Sequence, residues 1–177
     1  MTDKNSNGKN FIGYEYRDIT VERNMEAMYV DGYQNFGWQL DNVSSLPAGL
    51  GSITLKFKRD RKIRNKAELT RLQRQFDADV NEITTMEKSK GDSAIIVAFT
   101  VGLIGTAFMA GSVFAVVGGL IMLCIILALP AFIGWILPYF LYKSTYAKKS
   151  AKVMPLIDNK YDEIYEICER ANNLLGN

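Results

Sequence analysis

Residues 93–142 run for fifty positions without one Asp, Glu, Lys, Arg or His. Few architectures can absorb such a stretch. A bilayer core takes about 20 helical residues per crossing, and a single helix of this length would extend about 75 Å, far beyond one crossing. Two crossings joined by a tight turn fit. The spans are expected at 94–116 and 120–142, with Val117-Gly118-Gly119 as the turn. A hairpin buried inside a soluble protein is the rival. The rest of the 177-residue chain is too short and too polar to cover so much apolar surface.

What lies outside the hairpin excludes most chemistry. A net charge of +2 does not point to nucleic acid. The chain has no His, which removes His-based triads, imidazole metal ligation and imidazole acid–base catalysis. No phosphate loop, dinucleotide fingerprint, zinc-spaced Cys pair or nucleophile elbow occurs. Glu163 and Glu166 form a lone acidic pair, which reads as a solvated helix face. No catalytic residue, metal site or cofactor is therefore expected, and the chain is not expected to be an enzyme. Cys124 and Cys168 should lie on opposite sides of a hydrocarbon boundary and stay free thiols. Residues 1–10 read as a disordered polar tail with no apolar run behind it, so the first span should act as its own insertion signal.

Residues 11–62 read as a small α+β domain. Ile12, Tyr14 and Tyr16 alternate with polar residues, and Ile19 and Val21 continue after a change of parity at Asp18, which suggests a strand with a bulge. Met25, Met28, Tyr29, Gly32, Tyr33 and Phe36 follow at helical spacing, and Gly37 stops them. Trp38 and Leu40 mark a short strand, 43–52 a loop, and Ile53, Leu55 and Phe57 a third strand. The order is β-α-β-β, with Tyr14, Tyr16, Trp38 and Leu40 as expected core residues. Tyr-Glu-Tyr at 14–16, Gly-Trp-Gln-Leu at 37–40 and Ile-Thr-Leu-Lys-Phe at 53–57 resemble a small bacterial domain family of unknown function. That family opens on a Tyr-rich strand and carries Gly-Trp-Glu-Leu before a hairpin, and this chain has Gln39 in place of the Glu. The resemblance spans about 12–60 and implies a fold without an activity.

Residues 56–66 hold seven basic side chains and one acidic one. No stacking platform or recognition helix accompanies them, so nucleic acid is not the expected partner. Lys56, Lys58, Arg59, Arg61 and Lys62 are instead read as contacts to anionic lipid headgroups. A helix over 65–90 carries Leu69, Leu72, Phe76, Val80 and Ile83 as an apolar stripe, with Gly91 and Asp92-Ser93 as the expected break. In the first span Ala94, Ala98, Gly102, Thr106 and Ala110 recur every fourth residue and suggest close helix packing. In the second, Pro130 is expected to kink the helix, and Trp135, Tyr139 and Tyr142 suit an interfacial belt. Lys143, Lys148 and Lys149 follow at once and are read, with the earlier basic run, as membrane-surface contacts, while the turn has no charge. The positive-inside rule then places both termini in the cytoplasm. A last amphipathic helix over 155–175 presents Tyr161, Ile164 and Cys168 for packing.

The fold class expected is a membrane protein with a two-helix transmembrane hairpin. A small N-terminal α+β domain sits on the cytosolic side, and amphipathic helices flank the hairpin. The function expected is a multi-pass cell-membrane anchor presenting a cytosolic platform that forms a homo-oligomer or holds a membrane protein partner. A channel or transporter subunit is the alternative. It would need a polar line through the spans, where only Thr100, Thr106, Ser112 and Cys124 are polar.

Overall fold

In the computed structural model, residues 13–45 and 51–176 are described. The expected tail at 1–10 and the middle of the expected loop, 46–50, lie outside them. Two compact units are present, one made of residues 1–79 with 162–177 and the other of residues 80–161.

In the first unit, β1 (Tyr14–Glu22), β2 (Gln39–Ser45) and β3 (Ser52–Asp60) form an antiparallel sheet in the order β1-β3-β2. Val43–Ser45 is therefore strand and not loop. β1 pairs with β3 in unbroken register from Tyr14 opposite Asp60 to Glu22 opposite Ser52. The bulge expected near Asp18 is absent, and the irregularity lies instead in β2, between Leu40 and Asn42. This settles which side of β1 faces in. Glu15, Arg17, Ile19 and Val21 oppose Arg59, Phe57, Leu55 and Ile53, which are buried. Side chains alternate along a strand, so Tyr14 and Tyr16 face outward, and Tyr16 is 68% exposed. Neither is a core residue. Leu40 also differs from expectation, because it sits on the edge strand and is exposed. The core is Tyr33, Phe36, Trp38, Ile53, Leu55 and Phe57, with Trp38 only 5% exposed.

α1 (Glu26–Gln34) follows a 3-10 turn at Arg23–Met25. It ends where Trp38 N–H donates to the Tyr33 carbonyl (3.1 Å) and Gly37 N–H to that of Gln34 (3.0 Å). This is a Schellman cap, which needs a left-handed residue, and Gly37 supplies it at φ +80°. The apolar contact that accompanies such a cap is Tyr33 against Trp38, with ring centroids 6.4 Å apart. At Gly32 a Cβ would overlap the Phe76 ring, so α1 can approach its neighbour only with glycine there.

α2 (Lys66–Val117) and α3 (Ile121–Gly176) are both unbroken. The break expected at Gly91–Ser93 does not occur. A helical Gly costs only about 1 kcal/mol relative to Ala, whereas a helix end leaves four carbonyls to satisfy. The separate helix expected at 155–175 is likewise part of α3, which runs through Pro130, Pro138 and Pro155. Leu69, Leu72 and Phe76 of α2 and Ile164, Ile167 and Ala171 of α3 are buried in the first unit. The β-α-β-β segment is thus completed by the outer ends of both long helices and does not stand alone over 11–62.

The two faces of the sheet should respond differently to truncation. Trp38→Ala is expected to cost about 3–5 kcal/mol, and Tyr16→Ala to stay within about 0.5 kcal/mol. Chemical denaturation of the full chain in detergent, followed by circular dichroism, measures both.

Candidate functional site

By length and composition α2 and α3 are each able to cross a membrane, and their apolar windows are only 11% buried. The second unit is where those windows lie. Its turn is a second Schellman cap. Leu120 N–H donates to the Ala115 carbonyl (2.9 Å) and Gly119 N–H to that of Val116 (3.0 Å), with Gly119 at φ +76°. The chain can therefore reverse within three residues and lay α3 back along α2.

The seam between them is built on a backbone contact. A Cβ on Gly105 would lie 2.9 Å from Gly134 Cα, and one on Gly134 would lie 2.6 Å from Gly105 Cα. Nearer the turn, Ser112 Oγ donates to the Cys124 carbonyl at 3.1 Å and lies equally close to Cys124 Sγ. Ala94, Gly105, Ser112, Ala115, Ala131 and Gly134 are buried along this seam. The every-fourth-residue stripe does not follow it: Ala94 is buried, Ala98 and Gly102 are half-buried, and Thr106 and Ala110 are exposed. Each step of four advances about 40° around an α-helix, so the stripe winds off the contact face. The seam alternates threes and fours instead. Gly105 and Gly134 lie about equally far from the turn, and folding the sequence about Gly119 would have paired them. Pro130 stays inside α3, beside buried Ala131.

Outside the seam the surface is apolar. Ile95, Phe99, Leu103 and Phe114 of α2 and Leu129, Phe132, Ile136 and Phe140 of α3 are all exposed. Thr100 and Thr106 hydroxyls bond the Ile96 and Gly102 carbonyls of their own helix. At the boundary, Tyr142 and Tyr146 stack with centroids 6.2 Å apart. Lys143 and Lys148 are exposed and Lys149 is half-buried. Ile83 is buried, and Lys160 bridges to Glu82 at 3.1 Å. Tyr161 is exposed, one position off the packing face that Lys160 occupies.

In the first unit the basic residues separate. Lys56 and Lys58 belong to the outward face of β3, and Lys58 pairs with Asp41 at 2.7 Å. Arg61 and Lys62 follow on the surface. Arg59 is no surface residue at all, being 4% exposed. Its Nε donates to Glu15 at 2.6 Å, its NH1 donates to the Phe36 carbonyl at 3.1 Å, and its guanidinium lies 4.3 Å from the Trp38 ring centre. It occupies an inward position of β3, where a headgroup cannot reach it. Cys168 is half-buried, and burial raises its thiol pKa.

Two further carboxylates sit in this polar layer. Burial raises Asp77, outweighing Arg17 and the Tyr33 hydroxyl, each 3.0 Å from one of its oxygens. Burial pushes Glu15 the same way, but hydrogen bonds from Lys66 and Arg59 prevail and hold it below 4.5. Among the described residues no group of three His, Cys, Asp or Glu could hold a metal ion. Both cysteines are free. Comparison with protein-family models, curated proteins and solved structures returned no match.

Two tests follow from this geometry. Gly134→Ala is expected to destabilise the hairpin by about 1–3 kcal/mol through forced separation of the helices. Gly102→Ala, whose Cβ would sit 3.7 Å from Pro138 Cγ, should be tolerated; thermal unfolding in detergent distinguishes them. Glu15, lowered on folding, contributes stability above pH 4.5 that is lost as pH falls through its folded value. Asp77, raised on folding, has the opposite slope, so the readout is a difference between proteins. Glu15→Gln should lower the Tm at neutral pH, and its gap from the parent should close on acidification below about pH 4.5.

Proposed function

We propose that the chain is a two-span membrane protein and that its hairpin anchors the α+β unit at the cytosolic face as an interaction platform. One observation carries this reading: an exposed, uncharged and largely apolar exterior on residues 94–142, with the apolar windows only 11% buried. Soluble proteins rarely expose apolar patches beyond a few hundred Å². A helix core for a soluble fold would be covered by its own chain. Helices of 23 residues reach about 34 Å and match a hydrocarbon core of about 30 Å. The uncharged turn on one side and Lys143, Lys148, Lys149 and Lys152 on the other support cytoplasmic termini.

The tight packing of α2 on α3 is compatible with a self-associating helical bundle. The apolar stripes on the outer ends of α2 and α3 give no separate support for it, because Leu69, Leu72, Phe76 and Ile164 are covered within the chain. An oligomer would have to use another surface. The transport alternative gains no support either, since the hydroxyls of Thr100, Thr106 and Ser112 are engaged with backbone carbonyls.

Cysteine labelling tests the topology. In a chain carrying Cys124→Ala and Cys168→Ala, Gly118→Cys should react with a membrane-impermeant maleimide on intact cells. Asn173→Cys should react only after permeabilisation. Labelling of both positions on intact cells, or recovery of the protein in the alkaline wash of the membranes, would overturn the reading.

A further inference from the structure

We infer that the start of the polar part of α3 is a binding surface for the headgroups of anionic phospholipids, resting on the two-span reading above. Residues 143–152 contain Lys143, Lys148, Lys149 and Lys152 and no acidic residue. Four other lysines are neutralised internally: Lys58 with Asp41, Lys66 with Glu15, Lys90 with Glu87 and Lys160 with Glu82. Among the described residues no ion pair or hydrogen bond reaches any of the four. The facing stretch of α2 does not supply the missing charge. Glu87, Lys88, Lys90 and Asp92 cancel to zero, and Glu87 is taken by Lys90, whose side chain is 5% exposed. The layer as a whole therefore carries about four uncompensated positive charges.

Position and distribution select the lipid over a protein partner. The lysines begin where the apolar exterior ends, directly after exposed Tyr139, Phe140 and Tyr142, and interleave with Tyr146, which stacks on Tyr142. Aromatic rings of this kind sit at headgroup level. Lys148 and Lys149 lie about 8 Å further along the axis than Lys143, by the rise of 1.5 Å per residue. That step is comparable to the headgroup layer outside a hydrocarbon core of about 30 Å. Around the helix, Lys143 stands about 140° from Lys148 and about 180° from Lys152. A docked protein would want its contacts on one face. A leaflet presents negative charge on every side, and each lysine can extend its apolar stem along the helix while its ammonium stays among phosphates.

The experiment compares spin-labelled phosphatidylglycerol and phosphatidylcholine in vesicles holding the full-length protein, reading the immobilised fraction of each by electron spin resonance. At low salt the glycerol lipid should be immobilised in preference by about twofold or more. The preference should vanish at about 1 M salt, where the Debye length is about 3 Å. The variant K143Q/K148Q/K149Q/K152Q should still immobilise both lipids, now equally. Equal fractions with the parent protein, or an undiminished preference in the variant, would overturn the headgroup site while leaving membrane insertion standing. Failure to immobilise either lipid would overturn the two-span reading and this inference together.

Discussion

The Arg59 guanidinium decides how the sheet is oriented. It lies on the inward face of β3, over the Trp38 ring, with Glu15 directly opposite on β1. A buried cation of this kind is tolerable only if its charge and its donors are met. Glu15, the Phe36 carbonyl and the indole face meet them together. Once Glu15 must face in, strand alternation turns Arg17 inward as well, and Asp77 of α2 answers it. Tyr14 and Tyr16, at the alternate positions, are left facing outward. A layer of ion pairs thus sits where a purely apolar interior would have been simpler. It ties β1, β3 and α2 to one register, because a slip by one residue would strand every one of these charges.

The hairpin is governed by a different constraint, the absence of side chains. Two backbones can touch only where both partners lack a Cβ, and Gly105 and Gly134 are such a pair. The turn obeys similar logic, since Gly119 adopts a conformation that a side chain would strain. Gly37 does the same at the end of α1, so the protein uses one capping device in both units. Close approach and the Ser112–Cys124 hydrogen bond are the specific terms that set the register of the two helices.

Much of this was legible in the residues, and the failures have physical causes. The β-α-β-β order followed from alternation and helical spacing, and the turn followed from Gly118-Gly119. Tyr14 and Tyr16 were misplaced because alternation identifies two faces without saying which one is buried. Apolar content favoured the tyrosines, while the outcome hung on partners 44 to 60 residues away, in Arg59 and Asp77. Arg59 itself was hidden inside a run of basic residues that read as surface. The stripe of small residues was misjudged by its period, four instead of alternating three and four. Gly91 was overvalued as a stop, and the helix over 155–175 as a separate element, because local propensity yields when both neighbouring segments favour helix.

The first unit draws on residues 1–79 and 162–177, with residues 80–161 made between them. That has a consequence for synthesis. The sheet and the start of α2 leave the ribosome early, yet Ile164, Ile167 and Ala171 follow only after the whole hairpin has been translated. At about 5–20 residues per second this interval lasts roughly 4–16 s. During it, a nascent chain carries an incomplete apolar surface on Leu69, Leu72 and Phe76. The order of events is therefore vectorial: helical reversal at Gly119 comes before the first unit can close, and a chain that fails to reverse there cannot finish folding its other end.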